Sequence, residues 1–438
     1  MRKPSSFFIV CLCLFLAACF DKPARMPAYD IENSPDNYQI FITSDNHSFF
    51  DSLHDNSQAL ADMEASGDGK LITYNQEIME AFVNDVLARK PQAVILSGDL
   101  TLNGERLGHM ALAALLEKIT DAGIRVLVIP GNHDINSPHS IVIRDGKYYR
   151  TANVSPNQFR NIYRRSGYEG ALYYDRTSLS YIARLNSYLY AVMIDSCLYK
   201  PNRVSAGGTI STATLRWLEK SVNSIKRNNK DAQFITVLHH NIFAHHKDFV
   251  TNYVINTADT AIGVFSRLGL NIVFSGHIHI QHIMSKTNAN GSTMTEIVNG
   301  SLVTYPVIYG VAEFERTGMV YHTQEINIGK YARQNSLEDE NLLDFELYAR
   351  TMFNERSARN TTRRLRMLQR SDEEIDEAVE TIKLINTYYF AGRIGEIADE
   401  LPLMKGFQIL MDLERTQDYV TSVLEDGRGE HNRIEIAW

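Results

Sequence analysis

The stretch Ala93-Val-Ile-Leu-Ser-Gly-Asp-Leu-Thr-Leu-Asn-Gly104 sets four apolar residues almost directly against a Gly-Asp pair. A short apolar run without polar alternation is the pattern of a strand buried on both faces. The glycine after it permits a sharp turn, and the aspartate puts a carboxylate where the strand leaves its sheet. The arrangement recurs along the chain. Ile40-Phe-Ile42 precedes Asp45-Asn-His47, and Val126-Leu-Val-Ile129 precedes Gly131-Asn-His-Asp134. Ile235-Thr-Val-Leu238 precedes His239-His240, and Ile272-Val-Phe274 precedes Gly276-His-Ile-His279. Ala191-Val-Met-Ile194 is a further run of this kind. Helical patterns over 75–90, 105–122, 211–228 and about 257–268 lie between the runs. This alternation predicts an α/β domain with central, largely parallel strands.

In such sheets the ligand crevice lies beyond the carboxyl ends of the strands. Five polar blocks separated by more than two hundred residues therefore converge on one place. Their mixed oxygen and nitrogen donors, with no thiolate among them, suit hard or borderline divalent ions. One workable partition gives Asp45, His47 and His279 to one ion and Asn132, His239 and His277 to a second. Asp99 then bridges them, at the roughly 3.5–4 Å separation that clamps an in-line displacement.

After Gly276 the runs 294–298, 302–305, 311–314 and 319–326 read as strands completing a second sheet. From about Tyr331 the texture turns helical: Ser371-Asp-Glu-Glu374 is a capping-box pattern. Ile375, Val379, Ile382, Ile385 and Tyr389 follow it at helical spacing. The expected organisation is an α/β domain over 38–330 and a small helical domain over 331–438. The tyrosine-rich stretch 141–187 is expected as an insertion, its tyrosines serving in packing. The arginines 356, 359, 363, 364, 366 and 370 read as a solvated helix face offset by the acids of 372–377. His54, His109, His139, His245, His246, His282, His322 and His431 are expected on the surface or in loops.

The composition is that of a globular protein, 44% hydrophobic and 22% charged, with a formal charge of −8. Arg2 and Lys3 precede an apolar run from Phe7, which closes on Leu16-Ala-Ala-Cys19. A basic start, about ten apolar residues and small residues at the end describe an export signal over 1–18. That run is about half the length a membrane span needs. Its ending resembles a bacterial lipobox, in which Cys19 carries lipid and residues 19–37 form a tether. Loss of Arg2 and Lys3 takes the charge from −8 to −10, which argues against a long nucleic-acid groove. The expected location is the cell envelope, with the exported lipoprotein held to a membrane through Cys19. Cys197 alone remains after processing, and its apolar neighbourhood suggests a buried thiol.

The blocks, in their order and spacing, resemble the calcineurin-like metallophosphoesterases, whose signature is Asp-x-His, Gly-Asp, Gly-Asn-His-Asp/Glu, His and Gly-His-x-His. The resemblance spans residues 38 to about 326. It implies a four-layer αββα sandwich, with two sheets between helices, and two divalent or transition-metal ions (manganese, iron or zinc). Leu102 stands where purple acid phosphatases carry an iron-binding tyrosine. The run Gly98-Asp-Leu-Thr-Leu-Asn-Gly-Glu105 is similar to the class III cyclic-nucleotide phosphodiesterases, including secreted bacterial members with a helical C-terminal extension. Asn241 departs from the proline many relatives carry after the His-His pair. The implied activity is hydrolysis of cyclic nucleotides or similar small phosphodiesters by a metal-bridging hydroxide, and the export signal puts that activity outside the cytoplasm. His133 serves the leaving oxygen in this reading, Asp134 orients the His133 ring, and His240 touches phosphate. A phosphomonoesterase, a nuclease and a non-catalytic metal-bound lipoprotein stay open as alternatives.

Overall fold

The computed structural model describes residues 29, 31, 34–199, 205–287, 291–426 and 429–438. The expected signal over 1–18, the expected lipid site Cys19 and residues 20–28 of the expected tether lie outside the described residues. Strand β1 (Tyr38–Thr43) opens the fold and helices α1 (Gln58–Ser66) and α2 (Asn75–Arg89) follow. Then come β2 (Ala93–Leu96), α3 (Arg106–Asp121) and β3 (Arg125–Val128). A hairpin of β4 (Ile141–Arg144) and β5 (Lys147–Arg150) leads to α4 (Pro156–Ile162), β6 (Tyr173–Tyr174), β7 (Tyr181–Arg184) and β8 (Leu189–Met193). After α5 (Thr212–Asn228), β9 (Gln233–Val237), α6 (Ala258–Leu268) and β10 (Ile272–Ser275), the chain makes β11 (His282–Thr287), β12 (Thr293–Val298), β13 (Ile308–Glu315) and β14 (Gly318–Glu325).

Two sheets result. One has the order β14-β13-β1-β2-β3, with β1, β2 and β3 parallel and β13 antiparallel to β1. The other runs β11-β12-β10-β9-β8-β7-β6, with β12, β10, β9 and β8 parallel. The period of two along β9 separates its neighbours. Ile235 and Val237 face the first sheet, while Phe234 packs with α5 and α6 against Leu215, Val222 and Phe265. Two sheets back to back with helices outside make the four-layer αββα sandwich. Local signals set the helix ends: Ser211 accepts from the Thr214 amide to start α5, and Gly269 closes α6 in the left-handed conformation.

The helical region comprises α7 (Ile328–Gln334), α8 (Glu340–Leu343), α9 (Phe345–Met367), α10 (Asp372–Phe390), α11 (Lys405–Met411) and α12 (Glu414–Asp426). The capping box at Ser371 and Glu374 is formed, and Ile375, Val379, Ile382, Ile385 and Tyr389 are buried. They pack in one cluster with Ile278 and Ile280, so these helices support the loop carrying His277 and His279. The chain does not end in this region. Strand β15 (Arg433–Ala437) returns to the first sheet beside β14, pairing Ile434 with Tyr321 and Ile436 with Met319.

Several sequence expectations are corrected. Residues 302–305 form a turn, because the Ser301 hydroxyl accepts from the Val303 amide and bends the chain there. The strands after Gly276 are shared between both sheets instead of completing one. Within 141–187, β6 and β7 are the last two strands of the second sheet, with β6 at its edge, and Tyr148, Tyr149 and Tyr174 are exposed. The histidines are the largest departure: His54, His109, His245, His246, His282 and His431 are buried. His54 meets its near neighbours Asp51 and Phe49, while the other five find polar or ring partners that are remote in sequence. The Glu296 carboxylate, for example, meets His245 Nε2 at 3.0 Å, and the His282 and His431 rings stack at 3.9 Å.

His109 on α3 shows what such burial does. Its Nε2–H donates to the Asp134 carbonyl at 3.0 Å, so Nδ1 accepts from the Tyr163 hydroxyl at 2.9 Å. Burial pulls its pKa down to about 4. Between that value and the ordinary one near 6.5, the unfolded chain binds a proton that the folded chain refuses. Stability at this residue is therefore lost as pH falls through that window, by up to about 3 kcal/mol. His109→Gln, measured by thermal unfolding in chelator from pH 7 to pH 4, should show a flatter acid decline than the parent protein. Equal slopes would contradict this account.

Candidate metal centre

Each block follows a strand end, and the backbone there is bent hard. Asp45, His47, Asp99, His277 and His279 all have positive φ, from 41° to 73°. Non-glycine residues in that region cost of the order of 1 kcal/mol or more each and cluster at functional sites. Buried clamps hold the bends. Asn75 donates to the Asn46 and His47 carbonyls and accepts from the Phe49 amide. The Ser301 hydroxyl donates to the Asp45 carbonyl. Glu296 accepts from the Ile242 and Phe243 amides and the Ser275 hydroxyl, which ties the loop after β9 to that after β10. Asn241 serves the same junction, donating to Ser275 Oγ and the Gly276 carbonyl. This explains why asparagine suits the position where relatives carry proline. A Cβ at Gly131 would collide with the Asp99 amide and Oδ1, so only glycine lets these two loops meet.

The side chains converge. His47 Nε2 and His279 Nε2 stand 3.1 Å apart, with Asp45 Oδ1 3.3 Å from His279 Nε2 and 3.8 Å from His47 Nε2. His239 Nε2 lies 3.1 Å from Asn132 Oδ1 and 3.3 Å from Asp99 Oδ2, and that same oxygen is 3.8 Å from His47 Nε2. Asp99 thus stands between the two groups of donors. Two clusters, Asp45–His47–His279 and Asp99–His239–His277, each bring three donor atoms within 4.8 Å of one another. His133 joins a third with His47 and Asp99.

Backbone carbonyls set the ring tautomers, as a partner on one imidazole nitrogen does for a metal-binding histidine. His239 Nδ1–H donates to the Ser97 carbonyl at 3.1 Å, leaving Nε2 as a lone pair toward Asp99. His277 Nε2–H donates to the Asn252 carbonyl at 3.0 Å, leaving Nδ1. His133 Nδ1–H donates to the Leu102 carbonyl at 2.7 Å, leaving Nε2 on a ring that is 32% exposed. Sequence reasoning missed Ser97, Leu102 and Asn252 in this role, since a carbonyl acceptor has no residue-type signature.

The charge balance tests whether cations fit. Asp45 and Asp99 are buried, and among the described residues neither has a lysine or arginine ion-pair partner. Asp45 Oδ1 also lacks a hydrogen-bond partner. Isolated buried carboxylates are costly, so this arrangement calls for bound positive charge. Without it the histidines substitute. Burial drives His239 down, but the Asp99 carboxylate outweighs it and holds the ring at about 9. Burial likewise raises Asp99, yet His239 and His133 bring it well below the usual carboxylate range. These residues fit divalent metal.

Two expected roles meet different geometry. Asp134 does not touch the His133 ring. Its Oδ1 accepts from the Thr101 amide and hydroxyl, and its Oδ2 from the Leu100 and Gly131 amides. It fixes the loop behind Asp99, while the Leu102 carbonyl orients His133. Burial first, then the nearby Asp99 charge, raises its pKa to about 7. His240 is fully buried, with Nδ1 at 2.9 Å from Ser196 Oγ and Nε2 at 3.1 Å from the Ala206 carbonyl. Both ring nitrogens are occupied, so none is left for phosphate, and its ring packs against His277 at 4.6 Å. Cys197 is only partly buried, its Sγ 3.2 Å from the Pro130 carbonyl.

Residues 327–429 match the C-terminal domain of cyclic nucleotide phosphodiesterase. A dimetal phosphatase from Danio rerio aligns over 66% of this chain and 96% of its own, at 12% identity and a TM-score of 0.47. The protein TT1561 of Thermus thermophilus covers 66% and 99%, at 11% identity and 0.33. PhoD covers 68% and 67%, at 10% identity and 0.40. At these values the structural likenesses carry no argument about activity. No curated protein sequence matches the chain. The calcineurin-like phosphoesterase family matches residues 38–281, more than half of the length, and the chain belongs to that family of metallophosphoesterases.

Proposed function

We propose that the protein is a phosphodiesterase that holds two metal ions (manganese, iron or zinc) and cleaves small phosphodiesters outside the cytoplasm. The position of the Asp99 carboxylate, within reach of both donor groups, carries the two-ion reading. Asp45, His47 and His279 hold one ion and Asn132, His239 and His277 the other, with Asp99 between them. Bound there, the ions supply Lewis acidity toward the phosphoryl oxygens and a water acidified enough to attack at neutral pH. Preference for diesters rests on the run after Asp99 and on the match of residues 327–429 to a phosphodiesterase domain.

The chain's own residues then do the following. Asp99 Oδ1 accepts the His133 amide at 2.8 Å, which fixes the bridging carboxylate against the loop that carries the acid. With Nδ1–H held by Leu102, His133 presents Nε2 3.9 Å from Asp99 Oδ2, at the exposed side of the centre. In its protonated form it gives the Nε2 proton to the leaving oxygen. Asp134 keeps the Asp99 loop rigid and stays out of the proton transfer.

Asp99→Asn should abolish turnover and reduce bound metal, read by activity together with elemental analysis; full activity with two equivalents of metal would overturn the bridging role. His133→Ala should keep its metal and slow hydrolysis by roughly 10²–10⁴-fold. That slowing should shrink for esters of nitrophenol, which leave without a proton, and equal losses on good and poor leaving groups would remove His133 from the acid role. A metal-reconstituted screen decides between ester classes, since faster turnover of monoesters than of diesters would end the diesterase reading.

The export and tether readings rest on sequence alone. Lipid on Cys19 anchors the protein with roughly 0.8 kcal/mol per buried methylene. Among the described residues no helix is long and apolar enough to cross a membrane. An anchored active site outside the cytoplasm meets diesters such as 2′,3′-cyclic nucleotides and not a cytoplasmic messenger pool. Cys19→Ser should abolish metabolic labelling by fatty acid and release the protein or leave it unprocessed, with activity in detergent intact. An unlabelled parent protein, or its recovery in the cytosol, would contradict the anchor.

A further inference from the structure

A cavity of about 350 Å³ lies between α9, α10 and α12 and is closed on one side by Phe249. Its size falls within the roughly 300–1,000 Å³ of small-molecule sites. Its chemistry is unusual for an acidic chain. Among the described residues no acidic side chain lines it, while two guanidiniums, Arg356 and Arg364, do. Among the described residues neither arginine has an ion-pair partner. Arg364 Nη1 donates to Thr416 Oγ1 at 2.7 Å, and Arg356 Nη1 donates to the Asp68 carbonyl, so each side chain is held in place by a neutral acceptor. The Asp68 carboxylate, which pairs with Lys70, lies near enough to feel Arg356, but the direct contacts of both guanidiniums are to neutral acceptors, which leaves donors for an anion from outside.

Aromatic surface accompanies it. Phe249, Phe353, Phe390 and Tyr419 line the same space. The Tyr419 hydroxyl donates to Asn386 Oδ1 at 2.7 Å, and Asn386 Nδ2 donates to the Ser357 hydroxyl at 2.9 Å, which fixes one wall. Aromatic faces bind nucleobases by stacking, and arginine adds both a cationic face and a fork for phosphate. The arginine side of α9 is therefore a cavity wall as well as a solvated face.

The cavity adjoins the metal centre. Phe249 packs on Tyr253 at 5.0 Å between ring centroids, and Tyr253 on His277 at 5.3 Å. Ile278, between His277 and His279, belongs to the same apolar cluster as Ile382 and Leu413 of the cavity wall. Phe249 and Tyr253 thus stand in succession between the cavity and a metal-site histidine.

We propose that this cavity binds a terminal nucleotide, its base among the aromatic rings and its phosphate at Arg356 and Arg364. The substrate is then a dinucleotide phosphodiester, with its internal phosphate at Asp99 and its far end in the helical region. This extends the phosphodiesterase reading and rests on it for the cleaved bond, though not for the binding.

The test uses the full metal-loaded protein and the pair Arg356→Gln with Arg364→Gln. A dinucleotide carrying a terminal phosphate should lose tenfold or more in kcat/KM, while bis(p-nitrophenyl) phosphate, too short to reach the cavity, stays within twofold. Adenosine monophosphate, titrated calorimetrically into both proteins, should bind the double variant at least tenfold more weakly. Thr361→Trp, which fills the cavity and keeps both charges, should give the same selective loss and guards against a folding defect. Equal losses on both diesters, or unchanged nucleotide affinity, would overturn the proposal. If no diester is cleaved but the nucleotide affinity still falls in both variants, the cavity stands and the phosphodiesterase reading fails.

Discussion

Two carboxylates, Asp45 and Asp99, are buried with no lysine or arginine among the described residues to pair with them, and much of the surrounding structure answers that constraint. The strained residues that carry the donors persist because their loops are over-determined. Asn75, Glu296, Asp134 and Ser301 each spend buried hydrogen bonds on loop backbone, so the strain is distributed over the two sheets. Burial makes these bonds strong when satisfied and costly when broken. The centre is therefore rigid before any cation arrives, and binding energy is not diverted into ordering it.

Rigidity also explains the division of labour between neighbours in sequence. In Gly131-Asn-His-Asp134, four consecutive residues divide among three tasks. Gly131 allows close approach to Asp99, Asn132 and His133 face the centre, and Asp134 turns back into the protein. Alternation of this kind is possible because the segment is a turn, in which successive side chains diverge.

The central strands, the main helices and the five converging blocks were legible because their signals are local. Apolar runs such as Ala93–Leu96 declare burial on both faces, and glycine with histidine marks a strand end. What could not be read depended on distant partners. A histidine alone reads as polar, and only tertiary contacts with Tyr163 or Glu296 make burial of His109 or His245 tolerable. The role of Asp134 toward the His133 ring follows from the resemblance, and the turn geometry, which sends that carboxylate to the Leu100, Thr101 and Gly131 amides, precludes it. Strand β15 escaped for a similar reason: the alternation Arg433-Ile-Glu-Ile436 is short, follows a long helical region, and acquires meaning only beside β14.

That return strand has a mechanical consequence. The helices α7 to α12 leave the first sheet from β14 and re-enter it at β15, so the whole region is an excursion between two adjacent strands roughly 5 Å apart. The segment is held at both ends and also along its length, where Ile375, Ile382 and Tyr389 pack with Ile278 and Ile280. Displacing it as a body would mean peeling away an edge strand and its ladder of hydrogen bonds. The wall it builds beside His277 is accordingly a fixed boundary, and whatever enters must fit the opening as it stands.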